Sequence, residues 1–520
     1  MGSIDHQSMA VQEEELQHLV FIPFPSAGHF VSMVELAKLL VHRHSTLVIS
    51  LVIITSPSTA TAAVTRYADS LAAAATPRVN LLRLTGEDDP SLPAGNALSV
   101  IASQKTRVRD ALLSTAARFS GFVLDMFCTS MLDVAEELGV PSYLFFPSGA
   151  AFLGFMFHIQ ELHDEEGFVA AESTGVELVF PGLVRPLPGK VLPSGLLHEE
   201  WAAKSYRMAR DFRKTKGILV NTVTELETYA LESLSRTDNP KVYPVGPVLN
   251  LRPDDTSSSE LSGEEDDDVI QWLDQQPESS VAFLCFGSMG GFCAEQVKEI
   301  ACALEGSGHR FLWSLRRLEG GPTLTPTTTD YGDVREVLPE GFVDRTTEVG
   351  RVIGWAPQAA VLAHRSVGGF VSHCGWNSTL ESMWFGVPMA TWPLYAEQQF
   401  NSFLLVKELK TAAEIKMDYR TESGEIVSAE EIERGIRSLM EQNNPRKEKM
   451  KEFCDKVRGA LMDGGSSSSS IAEFIEDIKI NYRSESGKIV TTEEVKRGTK
   501  SLMELAKQLD KGDRICTNEW

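Results

Sequence analysis

The stretch GGFVSHCGWNSTLESMWFGVPMATWPL, residues 368–394, sets the pattern for the whole chain. An apolar run ends at His373, CGWN makes a turn, STLESMWFG has helical spacing, and a second apolar run follows Gly386. A buried strand, a turn, a helix and another buried strand make the repeating unit of a parallel α/β sheet. Working outward, SVAFLCFGSMG from Ser280, RFLWSLR from Arg310 and GRVIGWAPQ from Gly350 repeat the rhythm upstream. The first half has it too. HLVFIPF from His18 reads as a strand, PSAGH as a turn and FVSMVELAKLLVHR as an amphipathic helix. STLVISLVIIT, GFVLDMF, PSYLFFPS, VELVFPGL, GILVNTV and KVYPVGPV then continue the strand pattern. Two doubly wound, Rossmann-like α/β domains facing each other across a cleft are the expected architecture.

Composition limits what such a chain can do. Its 520 residues are too many for one ordinary core. A formal charge of −23 argues against nucleic acid or an anionic membrane as partner. Much of the acid lies in runs such as Glu264–Asp268, read as a solvated loop and a poor metal site. Seven scattered cysteines without a CxxC pair suit a reducing compartment and neither a zinc site nor a disulfide framework. The acidic N-terminus has no apolar signal core, and Leu47–Ile54 is too short to cross a bilayer. A cytosolic monomer is expected.

Missing motifs narrow the chemistry. There is no GxxxxGK[ST], no HExxH and no GxSxG. Neither PFPSAGH nor FGSMGG is the GxGxxG of a dinucleotide site, so a nucleotide-linked oxidoreductase is disfavoured.

Ligands of open α/β sheets sit beyond the carboxyl ends of the strands, where a helix N-terminus favours an anion. At CGWNS, Gly375 permits close backbone approach, Asn377 and Ser378 offer polar side chains, and His373 ends the strand. A purely structural alternative exists, because Ser378-Thr379-Leu380-Glu381 also matches a capping box. His29 follows the first strand and Asp125 ends GFVLD, so both fall on the cleft side. A hydroxyl is a weak nucleophile at neutral pH. An imidazole can take its proton, and a carboxylate on the other ring nitrogen can fix the tautomer and stabilise the imidazolium.

The longer box from Trp355 to Gln398, WAPQAAVLAHRSVGGFVSHCGWNSTLESMWFGVPMATWPLYAEQ, resembles the signature of plant family 1 UDP-glycosyltransferases at nearly every defining position. FIPFPSAGHFVSMVELAKLL and GEIVSAEEIERGIRSLM resemble the branch acting on phenylpropanoids, flavonoids and terpenoids. The resemblance implies a GT-B fold and inverting, metal-independent transfer of glucose from UDP-glucose to a small hydroxylated acceptor. UDP-sugar would be a co-substrate, with no cofactor. It further implies that Trp355 stacks on uracil, the Ala356 backbone reads the base edge, Gln358 lies by the ribose and Glu381 takes the ribose hydroxyls. Ser288, His373, Asn377 and Ser378 would hold the diphosphate. The backbone near Trp376, with Glu397 and Gln398, would hold the sugar. His29 would be the base and Asp125 its partner. Met126, Phe127, Phe145 and Ser148 are expected to line the acceptor pocket. A catalytically silent UDP-sugar or small-molecule binding protein on the same scaffold is the alternative, opposed by intact His29 and Asp125.

The expected division is an acceptor domain over 16–250, an acidic linker over 251–268, a donor domain over 269–462 and a helix over 463–482 returning to the first domain. MDYRTESGEIVSAEEIERGIRSLME from Met417 recurs as INYRSESGKIVTTEEVKRGTKSLME from Ile480, so 483–520 reads as an appended, dispensable duplicate.

Overall fold

The computed structural model describes residues 16–486, apart from 58, 60–61, 75, 87–96, 116, 252–262 and 320–326. The first domain holds seven parallel strands: β1 (Gln17–Ile22), β2 (Leu47–Thr55), β3 (Val79–Thr85), β4 (Gly121–Asp125), β5 (Ser142–Phe146), β6 (Gly217–Val220) and β7 (Lys241–Pro244). Their order is β3-β2-β1-β4-β5-β6-β7. The second domain holds β8 (Val281–Cys285), β9 (Arg310–Ser314), β10 (Gly350–Ile353), β11 (Val367–Ser372), β12 (Met389–Thr391) and β13 (Ala412–Glu414), ordered β10-β9-β8-β11-β12-β13. Eight of the nine residues of β2 are buried, as expected when helices cover both faces of a parallel sheet.

The strand order of each sheet reverses once, between β1 and β4 in the first and between β8 and β11 in the second. Such switch points open a crevice at the carboxyl edge. Helix α1 (Ala27–Arg43) starts at the first crevice, and helix α3 (Trp376–Phe385) at the second. Helix α2 (Ala150–Glu166) follows β5. The last described helix, α4 (Ser466–Ser486), lies on the first domain. Its Ile471, Phe474, Ile475 and Ile478 are buried with Leu19, Phe21, Tyr143 and Tyr243. Arg43 of α1 donates to Ser468 Oγ at 2.7 Å, and Tyr243 donates to Asp477 at 2.6 Å.

Two expectations need correction. VELVFPGL adds no strand to the main sheet; Glu177–Leu178 pairs only with Leu187–Pro188, and Val176 and Val179 are exposed. The acidic run is not loop throughout, because Gly263–Asp274 is helical. Acidic residues in a first turn meet the positive end of the helix dipole, so the run suits that place. Of the expected linker, 252–262 lies outside the described residues, as does 487–520 of the tail.

Candidate active site

The first half of the site is built on β1 and β4, which are neighbours in register, Ile22 opposite Leu124. His29 sits in the first turn of α1, while Asp125 is the last residue of β4 and fully buried. Their side chains meet, with His29 Nδ1 2.9 Å from Asp125 Oδ2. The other carboxylate oxygen accepts the Phe127 N–H at 3.0 Å, which fixes its orientation. Nδ1 is engaged, so Nε2 on the other edge of the ring is left to act on a substrate. Burial pulls the His29 pKa down, but the charge and hydrogen bond of Asp125, with the charge of Glu397, outweigh it and leave the pKa raised. Phe24 and Phe127 flank the ring, with centroids at 5.7 and 4.9 Å.

The second half surrounds the start of α3. Gly375 is its N-cap and supplies no side-chain cap, so the first helical N–H groups keep their capacity for an anion. Ser378 is thus the third helical residue, and the capping box at Ser378–Glu381 does not form; one does form at Ser428–Glu431. Gln358 instead donates to Ser378 Oγ at 2.9 Å and to Glu381 Oε2 at 2.5 Å. Burial pushes the Glu381 pKa up to about 7, against the hydrogen bond from Gln358.

His373 is buried between two glycines. A Cβ on either Gly287 or Gly375 would lie 2.6 Å from its Nε2, so any side chain there would displace the ring. Burial lowers its pKa to about 4, so it is a neutral hydrogen-bonding group near pH 7, not a cation. Its buried Nδ1 has no partner among the described residues. Ser288 is exposed in the turn after β8. Trp355 is 57% exposed, with the Arg316 guanidinium 5.3 Å from its ring centroid, and Ala356 beside it is buried. Gln398 Oε1 accepts the N–H groups of Leu394 and Tyr395 at 2.9 and 3.1 Å, which shapes the turn carrying Glu397.

The two halves touch. Asn377 Nδ2 donates to Gly28 O and Ser32 Oγ, both at 3.0 Å. Trp376 Nε1 donates to Asn221 O at 2.6 Å, and Ser148 Oγ donates to Glu397 at 3.2 Å. Ser148 and Phe127 therefore border the cleft, and Met126 is buried in the cluster that contains Trp376. Phe145, expected at the acceptor pocket, lies in the interior of the first domain. It is fully buried in the cluster shared by α1 and α4, because alternate residues of β5 face opposite sides of the sheet. Phe24, Asn221 and Arg316 went unmarked in the sequence. Only Phe24, an apolar residue in the turn ahead of His29, carried a local signal.

Residues 196–451 match the family model described as UDP-glucoronosyl and UDP-glucosyl transferase. A putative UDP-glucose flavonoid 3-O-glucosyltransferase 3 of Fragaria ananassa is 51% identical over 480 residues, 89% of this chain and 100% of that protein. The chain belongs to the UDP-glycosyltransferase family. UDP-glycosyltransferase 71B7 of Arabidopsis thaliana is 48% identical over 482 residues, 89% of this chain and 96% of that one. Among solved structures, Medicago truncatula UGT71G1 complexed with UDP-glucose has a TM-score of 0.81 at 39% identity, covering 89% of this chain and 98% of the other. Phytolacca americana UGT2 complexed with UDP-2fluoro-glucose and pterostilbene has a TM-score of 0.76 at 34% identity, covering 89% and 100%. This UDP-glycosyltransferase thus has the GT-B architecture, two parallel-sheet α/β domains with their switch points opposed.

Proposed function

We propose that the enzyme transfers glucose from UDP-glucose to a hydroxyl of a small apolar plant metabolite, with a flavonoid or another phenol as the first choice and a terpenoid as the second. The observation that carries this reading is the 2.9 Å contact of His29 Nδ1 with Asp125, placed opposite the uncapped N-terminus of α3. His29 Nε2 takes the acceptor proton as the acceptor oxygen attacks the anomeric carbon. Asp125 stabilises the imidazolium, and UDP departs from the opposite face, so an α-linked donor yields a β-glucoside. The first N–H groups of α3 and neutral His373 meet the charge developing on the diphosphate.

Trp355 offers an indole face to the base, Glu381 a carboxylate to the ribose diol, and Ser288 and Ser378 hydroxyls to the diphosphate. Glu397 and Gln398 are assigned to the sugar hydroxyls. This donor assignment needs no metal. Both halves of the site come from one chain, which supports a working monomer. Among the described residues six cysteines, at 128, 285, 293, 302, 374 and 454, are free thiols, which supports a cytosolic setting. No described helix is long and apolar enough to cross a membrane. The domain division read from the sequence is retained, except that the linker gives way at Gly263, where the helix starts, instead of after 268.

The test is incubation with UDP-glucose and a phenol panel. UDP release together with a product heavier by one hexose supports the reading, and a higher kcat/KM for UDP-galactose, UDP-xylose or UDP-glucuronate overturns the choice of donor. Binding of UDP-glucose without transfer to any acceptor would favour the silent binding protein.

A further inference from the structure

Helix α2 begins just after Ser148, expected at the acceptor pocket, and its N-cap, Gly149, has no side chain with which to satisfy the helix. Its free N–H groups go to a residue far along the chain. Glu227, 5% exposed, accepts Ala150 N–H at 2.7 Å through one oxygen and Ala151 N–H at 2.9 Å through the other. Thr222 Oγ1 donates to the same carboxylate at 2.6 Å. Burial raises the Glu227 pKa, and these three donors oppose that rise in part.

The location matters more than the capping. A Cβ on Gly149 would lie 2.8 Å from Glu227 Oε1 and 2.9 Å from the Trp376 ring, so carboxylate, helix start and donor-domain indole are packed without slack. Ser148, one residue earlier, donates to Glu397. Asn221 belongs to the same short segment after β6 as Glu227; its carbonyl accepts from Trp376 Nε1, and its amide faces Asn377 at 3.4 Å. One segment, 221–227, therefore touches the first two residues of the donor helix and the first two of the acceptor helix.

We propose that Glu227 is a positioning residue, which fixes the start of α2 against the donor domain so that a bound acceptor hydroxyl is aligned with the sugar. The proposal rests on the transferase reading above. Alignment of two bound reactants acts on the transfer step and not on donor binding, and small misplacement costs rate steeply.

Glu227→Gln keeps the shape, but its amide nitrogen would face a helix N–H in place of an acceptor. Thr222→Val removes one donor and leaves the carboxylate on the helix. For Glu227→Gln, transfer to a phenol should fall about tenfold, while UDP-glucose KM and acceptor-free hydrolysis of UDP-glucose stay within about twofold. Amide hydrogen exchange should rise in peptides covering 148–157 and stay unchanged in the first turn of α3. Thr222→Val should show the same pattern, weaker. A purely structural role would lower transfer and hydrolysis together, in step with the folded fraction, and that result overturns the proposal. So does unchanged transfer, even with faster exchange. If the wild-type chain released no UDP from UDP-glucose, the transferase reading itself would fail, and the exchange measurement would still decide whether Glu227 holds the helix.

Discussion

Asn377, the second residue of α3, donates its side-chain amide to the carbonyl of Gly28, the residue before His29, at 3.0 Å. A single hydrogen bond thus joins the switch point of the donor sheet to that of the acceptor sheet, one residue from the proposed base. The same amide also reaches Ser32 Oγ on the next turn of α1. Two crevices that each sheet forms independently are brought into one site by this contact and by Trp376 on Asn221.

His29→Ala should lower turnover by about 10²-fold or more with UDP-glucose affinity nearly unchanged, since it removes proton transfer alone. Asp125→Asn should cost less, because the base remains while its orienting charge is lost. Steady-state kinetics on a weakly acidic phenol, with calorimetric UDP-glucose binding, checks both. Near-wild-type turnover of His29→Ala would remove the residue from its role.

The pH profile carries a sign that can be tested. The base must be neutral, and against the lowering effect of burial Asp125 and Glu397 raise the His29 pKa, so kcat/KM should fall as pH drops through a value above the ordinary 6.5. In Asp125→Asn the raising influence is mostly gone and burial dominates, so the acid limb should move to lower pH. The linked stability runs the opposite way. The pair contributes stability fully below the unfolded pKa and loses it as pH rises through the folded one. An acid limb that stays in place in Asp125→Asn would contradict the coupling.

Gly375→Ala should weaken UDP-glucose binding by about tenfold or more, because the new methyl would stand 2.6 Å from His373 Nε2 and displace the ring. Trp355→Ala should weaken it too, since base–aromatic stacking is worth about 1–3 kcal/mol. Isothermal titration with UDP reports both. Trp355 is 57% exposed, so its loss should leave the melting temperature almost unchanged.

Excess EDTA should leave transfer intact, since the diphosphate is assigned to helix N–H groups, hydroxyls and neutral His373. Loss of activity that Mg²⁺ or Mn²⁺ restores would show the assignment to be incomplete.

Ending the chain after Tyr482 should change turnover and UDP-glucose affinity by no more than about threefold, because the last buried apolar residue among the described side chains of α4 is Ile478. Phe474→Ala, by contrast, should cost about 3–5 kcal/mol, as Phe474 packs edge-on to Tyr143 and Tyr243 at 5.1 and 5.4 Å. Thermal denaturation of the two variants separates an appended tail from an integral helix. An insoluble or inactive chain ending at Tyr482 would make residues beyond it part of the fold.

By itself the sequence determined the parallel α/β halves, the strand ends that carry His29, Asp125 and His373, and the turn at Gly375. These follow from local periodicity, in which a buried run, a turn and a helical spacing each declare themselves within a few residues. The family box extended that reading to Trp355, Gln358 and Glu381. Tertiary structure alone decided which face of β5 carries Phe145, because a buried parallel strand is apolar on both sides and its pattern has no inside or outside. It alone decided that Ser378 and Glu381 share Gln358 instead of capping their own helix, and that the acids from Gly263 onward continue as helix. Glu227 on the α2 N–H groups and Asn377 on Gly28 were beyond any local pattern. Each joins residues distant in sequence: the first exists only once β5 and β6 lie side by side in one sheet, the second only once the two domains meet.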